Sequence, residues 1–226
     1  MSNLQDRKRT LFFNREWLRW NPEIAGPFLM AFAAAICLAI GLIEHPRLYP
    51  VDYGQYKTYL SNFGLKWTAA DVNTGNLQYT HPVITFAYTH FSWMKLFTPA
   101  AAASTVYAVA GVRILSFFSK SLFQADTLAF VWAIMLVLTV YMVSFGLYRI
   151  LKKCWMIPGI MLCLLYTDGN FCAILRGLYP QAAVITFSLL FTGFFLVTIV
   201  IPYEKRNLWL ILFCITGILL VKSDTP

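Results

Sequence analysis

Long runs of apolar residues without any charge alternate along this chain with short polar segments. The first run, Ile24 to Ile43, has about 20 residues, the length that a helix needs to cross a hydrocarbon layer of about 30 Å. Similar runs extend from Leu128 to Tyr148 and from Ala182 to Pro202, and shorter ones from Trp155 to Thr167 and from Leu208 to Val221. This pattern predicts an all-α integral membrane protein, a polytopic helical bundle of about five to seven spans.

The overall composition agrees with a membrane protein and argues against a soluble domain. Hydrophobic residues make up 59% of the chain and charged residues only 12%, with a mean hydropathy of +0.63. Soluble domains are roughly 45–50% apolar and about 25% charged. An outer-membrane barrel would show short alternating segments, whereas these runs are continuous. The five cysteines form no Cys-x-x-Cys pair and lie mostly inside apolar runs, so we interpret them as core residues rather than disulfide or zinc ligands.

The basic residues lie beside the apolar runs and give the chain a net charge of +8. Orientation in the membrane and contact with anionic lipid explain this charge better than nucleic-acid binding does. Residues 1–23 mix five cations with aromatic rings. They predict a cytoplasmic, basic, amphipathic segment on the inner leaflet, with a disordered basic tail as the alternative. The protein is therefore expected to be a multi-pass protein of a cell membrane, of the bacterial inner-membrane kind, with its N-terminus in the cytoplasm.

Residues 24–226 form one predicted transmembrane domain, of which residues 44–127 are the first extracytoplasmic loop region. Two apolar segments in this region, His81 to Phe97 and Ala100 to Phe118, either both cross as a hairpin or both lie flat on the outer surface. If only one of them crossed the membrane, the cations that follow the second long run would lie outside the cell. This would violate the rule that basic residues flank spans on the cytoplasmic side. We favour interfacial helices, because the first segment carries two histidines and a lysine that are costly in mid-bilayer.

Candidate chemistry lies in the polar segments next to the membrane. Asp52 lies in the segment Pro50 to Lys57, a few residues beyond the first run, at the level of the headgroups. An enzyme that acts on a lipid-linked substrate needs a base at this level. A second predicted outer loop, residues 168–180, carries Arg176 and opens with the turn-forming pair Asp168-Gly. Asp52 has an alternative role as the N-cap of an interfacial helix.

The order of these elements resembles the GT-C superfamily of membrane glycosyltransferases, which includes the protein mannosyltransferases and the lipid A aminoarabinose transferases. After a cytoplasmic N-terminus and a first span, the family has an acidic residue in the first outer loop, then a His-Pro or Pro-Pro opening to a flat helix. These elements are followed by a span that ends in basic residues, an outer loop rich in Tyr and Arg, and a span that ends in lysine. The matching segments here are Tyr49-Pro-Val-Asp-Tyr-Gly-Gln-Tyr56, His81-Pro-Val-Ile-Thr-Phe-Ala-Tyr88, Tyr148-Arg-Ile-Leu-Lys-Lys153, Leu175-Arg-Gly-Leu-Tyr-Pro-Gln-Ala182 and Ile218-Leu-Leu-Val-Lys222.

The resemblance implies transfer of a sugar from a polyprenyl-phosphate donor to a cell-surface glycan or lipid acceptor on the outer face of the membrane. Asp52 would be the general base that accepts the proton of the acceptor hydroxyl. Lys57, Arg176 and Lys222 would bind the lipid phosphate, and Arg is suited to this because its planar fork binds two oxygens. His81 would either orient the substrate or cap the flat helix. No cofactor and no metal are expected.

The chain departs from the family pattern in three respects, which leave other functions open. Tyr53 follows Asp52 where the family often has a second carboxylate, and Gln181 stands where many members have an acidic residue. Family members also carry more spans, so the resemblance covers an N-terminal portion, and a partner subunit that supplies further spans is one alternative. A non-catalytic membrane assembly subunit or a truncated, inactive fragment is another. A transporter component fits less well, because the predicted spans contain almost no charge.

Overall fold

The computed structural model describes residues 22–44, 60, 63–67, 85–90, 103–116, 122–152, 154–177, 180–201 and 205–219. Of these residues 84% are helical, and the predicted class, an all-α integral membrane bundle, is confirmed. The helices are α1 (Pro22–Glu44), α2 (Ala103–Ser116), α3 (Ala125–Leu151), α4 (Met156–Tyr166), α5 (Gly169–Leu175), α6 (Pro180–Val200) and α7 (Lys205–Leu219). The strands are β1 (Leu65–Trp67), β2 (Thr85–Tyr88) and β3 (Leu122–Gln124).

Within the described residues, three helices are long and apolar enough to cross a membrane: α1, α3 and α6. Helices α4 and α5 pass the same test as a pair that is bent by 74°, which raises the number to four. Most of α7 forms a shorter apolar helix, Leu208–Leu219. The larger count of five to seven spans stays a prediction, because it also draws on segments outside the described residues.

Helix α3 is the centre of the bundle and packs against α1, α2, α4, α5 and α6. Its residues Leu128, Trp132, Leu136 and Val140 are all fully buried. They are four apart and therefore form one stripe along the helix. Large apolar side chains elsewhere on α3, such as Phe130, remain exposed, as expected for a surface that faces lipid tails.

Helix α1 runs antiparallel to α3. At one end of the bundle, Arg149 in the last turn of α3 donates a hydrogen bond to Glu23 in the first turn of α1, with Nη2 and Oε2 3.1 Å apart. Each charge also has the sign that its helix terminus favours, since anions are stabilised at N-termini and cations at C-termini. We call this end of the bundle, marked by Glu23 and Arg149, the inner end.

Helix α6 runs parallel to α3, and α7 returns antiparallel to α6. Trp132 of α3 packs edge-on against Phe187 of α6, and further along both helices Gly146 of α3 lies against Leu196 of α6. Gly217, near the end of α7, packs against the ring of Phe187, near the start of α6. These relative directions agree with the alternation of spans that the distribution of basic residues predicts. The side of the membrane on which each end lies stays a prediction.

A three-stranded antiparallel sheet of order β1-β2-β3 was not anticipated. The expected flat helix over residues 81–97 is wrong at Thr85–Tyr88, which form the central strand. In this strand Phe86 is fully buried and contacts the fully buried Phe123 of β3, with ring centroids 6.3 Å apart. Aromatic residues pack well on a pleated surface, and cross-strand pairs of this kind stabilise short strands. The second segment, residues 100–118, contains α2 as a helix, and α2 is absent from the candidate spans among the described residues.

The expected polar loop over residues 168–180 is also wrong in part, because Gly169–Leu175 form helix α5. Asp168 is its N-cap rather than a turn residue, and its Oδ1 accepts a hydrogen bond from the backbone N–H of Phe171 at 2.9 Å. An aspartate at this position satisfies an amide that has no partner within the helix. The chain therefore bends sharply after α4 but stays helical on both sides of the bend.

Buried contacts hold the bend between α4 and α5. The hydroxyl of Tyr166 donates to the backbone carbonyl of Leu136 in α3 at 3.2 Å, and the ring of Tyr166 stacks on Phe171 at 5.5 Å. The thiol of Cys172 donates to the carbonyl of Tyr166 at 3.1 Å. In a membrane interior the backbone polar groups need internal partners, and these bonds help to fix the direction in which the chain leaves α4.

We expect Gly41→Ala to destabilise the fold, because α1 passes very close to the bend. A Cβ at position 41 would lie 2.5 Å from the Cys172 sulfur and 2.6 Å from the Tyr166 carbonyl oxygen, so the backbone itself would have to move. Overpacking of this kind costs about 1–3 kcal/mol. The matched control is Gly111→Ala in α2, where a Cβ meets nothing within 4 Å.

Thermal unfolding of both variants in the same detergent measures the difference. Gly41→Ala should lower the Tm, whereas Gly111→Ala should leave it unchanged or raise it slightly, since Ala is favoured over Gly in helices by about 1 kcal/mol. Equal Tm values for the two variants would contradict the close packing of α1 on the bend.

Candidate functional site

The predicted site residues divide into one that the structure describes and four that it does not. Asp52, Lys57, His81 and Lys222 lie outside the described residues, and their roles stay predictions. Arg176 is described and lies directly after α5, as its C-cap residue. Arg176 and its surroundings are therefore the described part of the candidate site.

The bend between α4 and α5 determines where Arg176 lies. Tyr166 contacts α3 at Leu136, whereas Arg176 approaches α3 at Asp126, in its first turn. Ten residues of helix separate these two positions on α3, a rise of about 15 Å. Helix α5 thus carries the chain from the middle of α3 back to its beginning.

Arg176 forms an ion pair with Asp126, in which Nε lies 3.8 Å from Oδ1. This distance is longer than the ~2.7–2.9 Å of a charge-assisted hydrogen bond. The Arg176 side chain is 18% exposed and that of Asp126 is 41% exposed. A partly exposed pair at this distance contributes little to stability, of order 0–1 kcal/mol. The ion pair therefore brings a cation and an anion close together at the first turn of α3.

The sheet lies at the same end of α3 as this pair. Strand β3 leads into α3 without a break, and Asp126 follows the end of β3 by two residues. We call this end, marked by Asp126, Arg176 and the sheet, the outer end, because the basic residues at the inner end predict a cytoplasmic location for Arg149. The polar groups of the candidate site are thus at the end where the sequence predicts an extracytoplasmic face.

Arg113 of α2 is a further cation that joins the helices to the sheet. Its Nη2 donates to the carbonyl of Thr89 at 2.9 Å, and its guanidinium lies over the ring of Tyr88, 4.7 Å from the centroid. Burial lowers the pKa of Arg113, and Tyr88 opposes this shift. Arg stays protonated in proteins, so the interaction remains cationic. An arginine within an otherwise apolar run was the signal in the sequence for such a role.

Four buried polar atoms among the described residues have no hydrogen-bond partner: the hydroxyls of Thr105, Ser144 and Thr186, and the indole N–H of Trp132. Thr105, Trp132 and Thr186 belong to α2, α3 and α6, helices that pack on one another. All three residues are fully buried. Sequence reasoning missed them, because a threonine or a tryptophan in an apolar run gives no sign of whether its polar atom is satisfied.

Titratable side chains of the described residues offer no obvious metal centre. No group of three or more His, Cys, Asp or Glu side chains in this part of the chain could hold a metal ion. The interpretation of the cysteines as core residues is confirmed for Cys163, Cys172 and Cys214, which are buried. Cys37 is half-buried and Cys154 is exposed. The exposed thiol of Cys154 lies just after α3, at the inner end.

The apolar spans and the helical bundle define this chain as a polytopic helical membrane protein. Its sequence matches the family model of the YfdI N-terminal transmembrane domain over residues 14–225. The match covers nearly the whole chain, and the chain belongs to this family. No curated protein and no solved structure matches it. Membership in the GT-C superfamily stays a prediction.

The unpartnered hydroxyl of Thr186 predicts a stabilising substitution. Thr186→Val keeps the shape of the side chain and removes a buried polar group that costs about 1–3 kcal/mol when unsatisfied. We expect a higher Tm in detergent. The matched control is Thr139→Val, because the Thr139 hydroxyl donates to the carbonyl of Met135 at 3.0 Å and its removal brings no such gain. The same change in Tm for both variants would argue against an unsatisfied hydroxyl at position 186.

The predicted orientation of the bundle implies that a reagent that cannot cross the membrane reaches cysteines at the outer end in intact cells and cysteines at the inner end only after permeabilisation. A membrane-impermeant maleimide added to intact cells should leave Cys154 unmodified and should react with it after permeabilisation. In a Cys154→Ser background, Lys66→Cys in β1 should react in intact cells, because Lys66 is exposed at the outer end. The reverse pattern would place the sheet in the cytoplasm and would invert the predicted orientation.

Proposed function

We propose that this protein is a GT-C-type glycosyltransferase that moves a sugar from a polyprenyl-phosphate donor to a cell-surface glycan or lipid acceptor. The observation that supports this proposal is the position of Arg176, a largely buried guanidinium beside Asp126 at the outer end of a membrane bundle. A guanidinium at such a boundary suits the phosphate of a lipid whose chain remains in the bilayer.

The reaction is a substitution at the anomeric carbon of the donor sugar. The oxygen of the acceptor hydroxyl forms a bond to this carbon while the bond between the carbon and the phosphate oxygen breaks. The electron pair of the broken bond leaves on polyprenyl phosphate, and the acceptor proton moves to Asp52 as general base. Nothing is oxidised or reduced. The leaving group is already a stabilised anion, so the reaction requires neither a cofactor nor a metal.

The cations of the outer side would stabilise the phosphate as its charge increases. Arg176 would bind the phosphate oxygens through its planar fork, and Lys57 and Lys222 would add point charges. His81 would orient the acceptor or the donor sugar. These four assignments and that of Asp52 derive from the resemblance to GT-C enzymes and from the predicted position of each residue outside the membrane.

The interior of the bundle favours a reaction at the membrane surface over transport of a substrate through the membrane. Buried polar residues among the described part of the chain are limited to Thr105, Thr139, Ser144 and Thr186, and none of them is charged. A pathway for ions or polar substrates would need charged or strongly polar side chains facing it within the spans. The charged residues that the structure describes lie instead at helix ends and outside the spans.

A non-catalytic assembly subunit is the second candidate. The matching family is described as an N-terminal transmembrane domain, and a role beside a partner subunit that supplies further spans is compatible with that description. Such a subunit would insert in the membrane and bind its partner without any need for the Asp52 carboxylate. The two candidates therefore differ in the effect of a single isosteric substitution.

We expect Asp52→Asn to abolish most of the transfer activity without affecting membrane insertion. A general base typically contributes about 10²–10⁴-fold to the rate, and an amide of the same shape cannot accept the proton. The measurement is transfer of radiolabelled hexoses from a panel of polyprenyl-phosphate hexoses to acceptors in membranes that contain the protein. The matched control is Asp71→Asn, which removes a carboxylate from the same predicted outer loop and should retain activity.

The outcome of this experiment separates the two candidates. Equal activity in Asp52→Asn, Asp71→Asn and the unmodified protein would remove Asp52 from the mechanism and favour the assembly subunit. Arg176→Lys adds a second comparison, because lysine keeps the charge but loses the planar fork. We expect Arg176→Lys to raise the KM for the donor more than it lowers kcat.

A further inference from the structure

We propose that the outer boundary of the hydrocarbon layer dips toward the inner end of the bundle where the membrane meets the bend between α4 and α5. Lipid headgroups and their water then contact three exposed polar residues of the bend, Thr167, Asp168 and Asn170, which we call the polar corner. The partner of this surface is the polar layer of the bilayer. The inference goes beyond the proposed function and holds whether or not the protein transfers a sugar.

Helix α4 presents a much shorter apolar surface to the membrane than α3 does. The large apolar side chains that α3 exposes include Phe130 near its start and Leu151 at its end, which are separated by a rise of about 31 Å. Those of α4 begin at Met156 and end at Leu165, a rise of about 14 Å. The exposed apolar surface of α4 therefore matches less than half of a hydrocarbon layer of about 30 Å.

The polar corner directly follows the apolar surface of α4. The Thr167 hydroxyl donates to the carbonyl of Leu164 at 2.8 Å, and the Asp168 carboxylate accepts from the backbone N–H of Phe171 at 2.9 Å. Both side chains are nevertheless exposed, and so is that of Asn170. Lipid tails offer such groups no hydrogen bond, whereas headgroups and water do.

Two contacts give the depth of the polar corner along the bundle. The Cα of Thr167 lies 3.5 Å from the position of a Cβ at Gly41, which is about 27 Å along α1 from the ion pair that marks the inner end. The hydroxyl of Tyr166 donates to the carbonyl of Leu136, which is about 20 Å along α3 from the same ion pair. The polar corner thus lies about 20–27 Å from the inner ion pair.

Other exposed side chains remain apolar at a greater distance from the inner end. Phe130 of α3 is 62% exposed and lies about 28 Å from the inner ion pair. Ile43 of α1 is 80% exposed and lies about 30 Å from it. A flat boundary beyond these two residues would place the polar corner in hydrocarbon, and a flat boundary below the corner would place both apolar residues among headgroups.

A dip in the boundary satisfies both sets of residues. An ionisable residue such as Asp168 is costly in hydrocarbon, whereas a bilayer adapts to a short apolar surface at a modest cost for each ångström of thinning. The depths above require a dip of about one helical turn, ~5 Å, on the side of α4.

Spin labels at matched depths test this inference on the purified protein in liposomes of one phospholipid. The labels are attached to Asn170→Cys, Phe130→Cys and Ile43→Cys, each in a background with Cys37→Ser and Cys154→Ser, and the signal of the background alone is subtracted. Power saturation of the electron paramagnetic resonance signal then measures collision of each label with oxygen, which concentrates in hydrocarbon, and with a water-soluble nickel chelate.

We expect the ratio of nickel to oxygen accessibility at Asn170→Cys to exceed the ratios at the other two positions about tenfold or more, because a polar chelate is excluded from hydrocarbon. Leu164→Cys is the matched control on α4, since Leu164 is 67% exposed and precedes the polar corner by less than one turn. Its ratio should resemble that of Phe130→Cys. The change from hydrocarbon to water would then occur within a few residues on this side of the bundle.

Three outcomes would overturn the proposal. Low ratios at all positions would mean that hydrocarbon covers the polar corner, and high ratios at Asn170→Cys, Phe130→Cys and Ile43→Cys alike would mean a flat boundary closer to the inner end. An immobile label at Asn170→Cys that neither reagent reaches would mean that protein covers the corner. Should Asn170→Cys fail to fold, Thr167→Cys places the label at the other side of the corner and must show the same high ratio.

Discussion

The burial of one stripe of α3 is the constraint on which the rest of the structure depends. Leu128, Trp132, Leu136 and Val140 are fully buried, and the other spanning helices pack around α3. Lipid tails are as apolar as these side chains, so close packing and internal hydrogen bonds, rather than the hydrophobic effect, must hold the helices together. Small residues at the contacts, such as Gly146 against Leu196, permit that packing. Among the described residues, charge is consequently confined to helix ends and to segments outside the spans, where water or headgroups can solvate it.

The long elements could be predicted from the sequence, because each follows from a local property. The charge-free runs at Ile24–Ile43, Leu128–Tyr148 and Ala182–Pro202 correspond to α1, α3 and α6, since length and hydropathy decide whether a segment forms a spanning helix. The sheet could not be predicted in this way. Its central strand, Thr85–Tyr88, has only four residues and depends on partners at positions 65–67 and 122–124, which no local pattern reveals.

The candidate site was predictable only in part, for a related reason. Arg176 was recognised as a cation outside the membrane, but residues 169–175 were expected to be loop, so its distance from other elements was unknown. Asp126 was not singled out, because a single acidic residue at the start of an apolar run is an ordinary helix N-terminal feature. The bend held by Tyr166 brings the two residues together across 50 positions of sequence. A sequence pattern can predict each charge, but not the bend that makes them neighbours.

The two ion pairs at opposite ends of the bundle join different kinds of element. At the inner end Arg149 and Glu23 are within hydrogen-bonding distance at 3.1 Å, and they tie the last turn of α3 to the first turn of α1. At the outer end Arg176 and Asp126 are 3.8 Å apart, and Arg176 belongs to a short helix beyond a bend rather than to a long span. Both pairs are partly exposed to solvent, so each contributes only of order 0–1 kcal/mol to stability. The ion pairs therefore orient the ends of the helices, whereas the buried stripe of α3 holds the helices together.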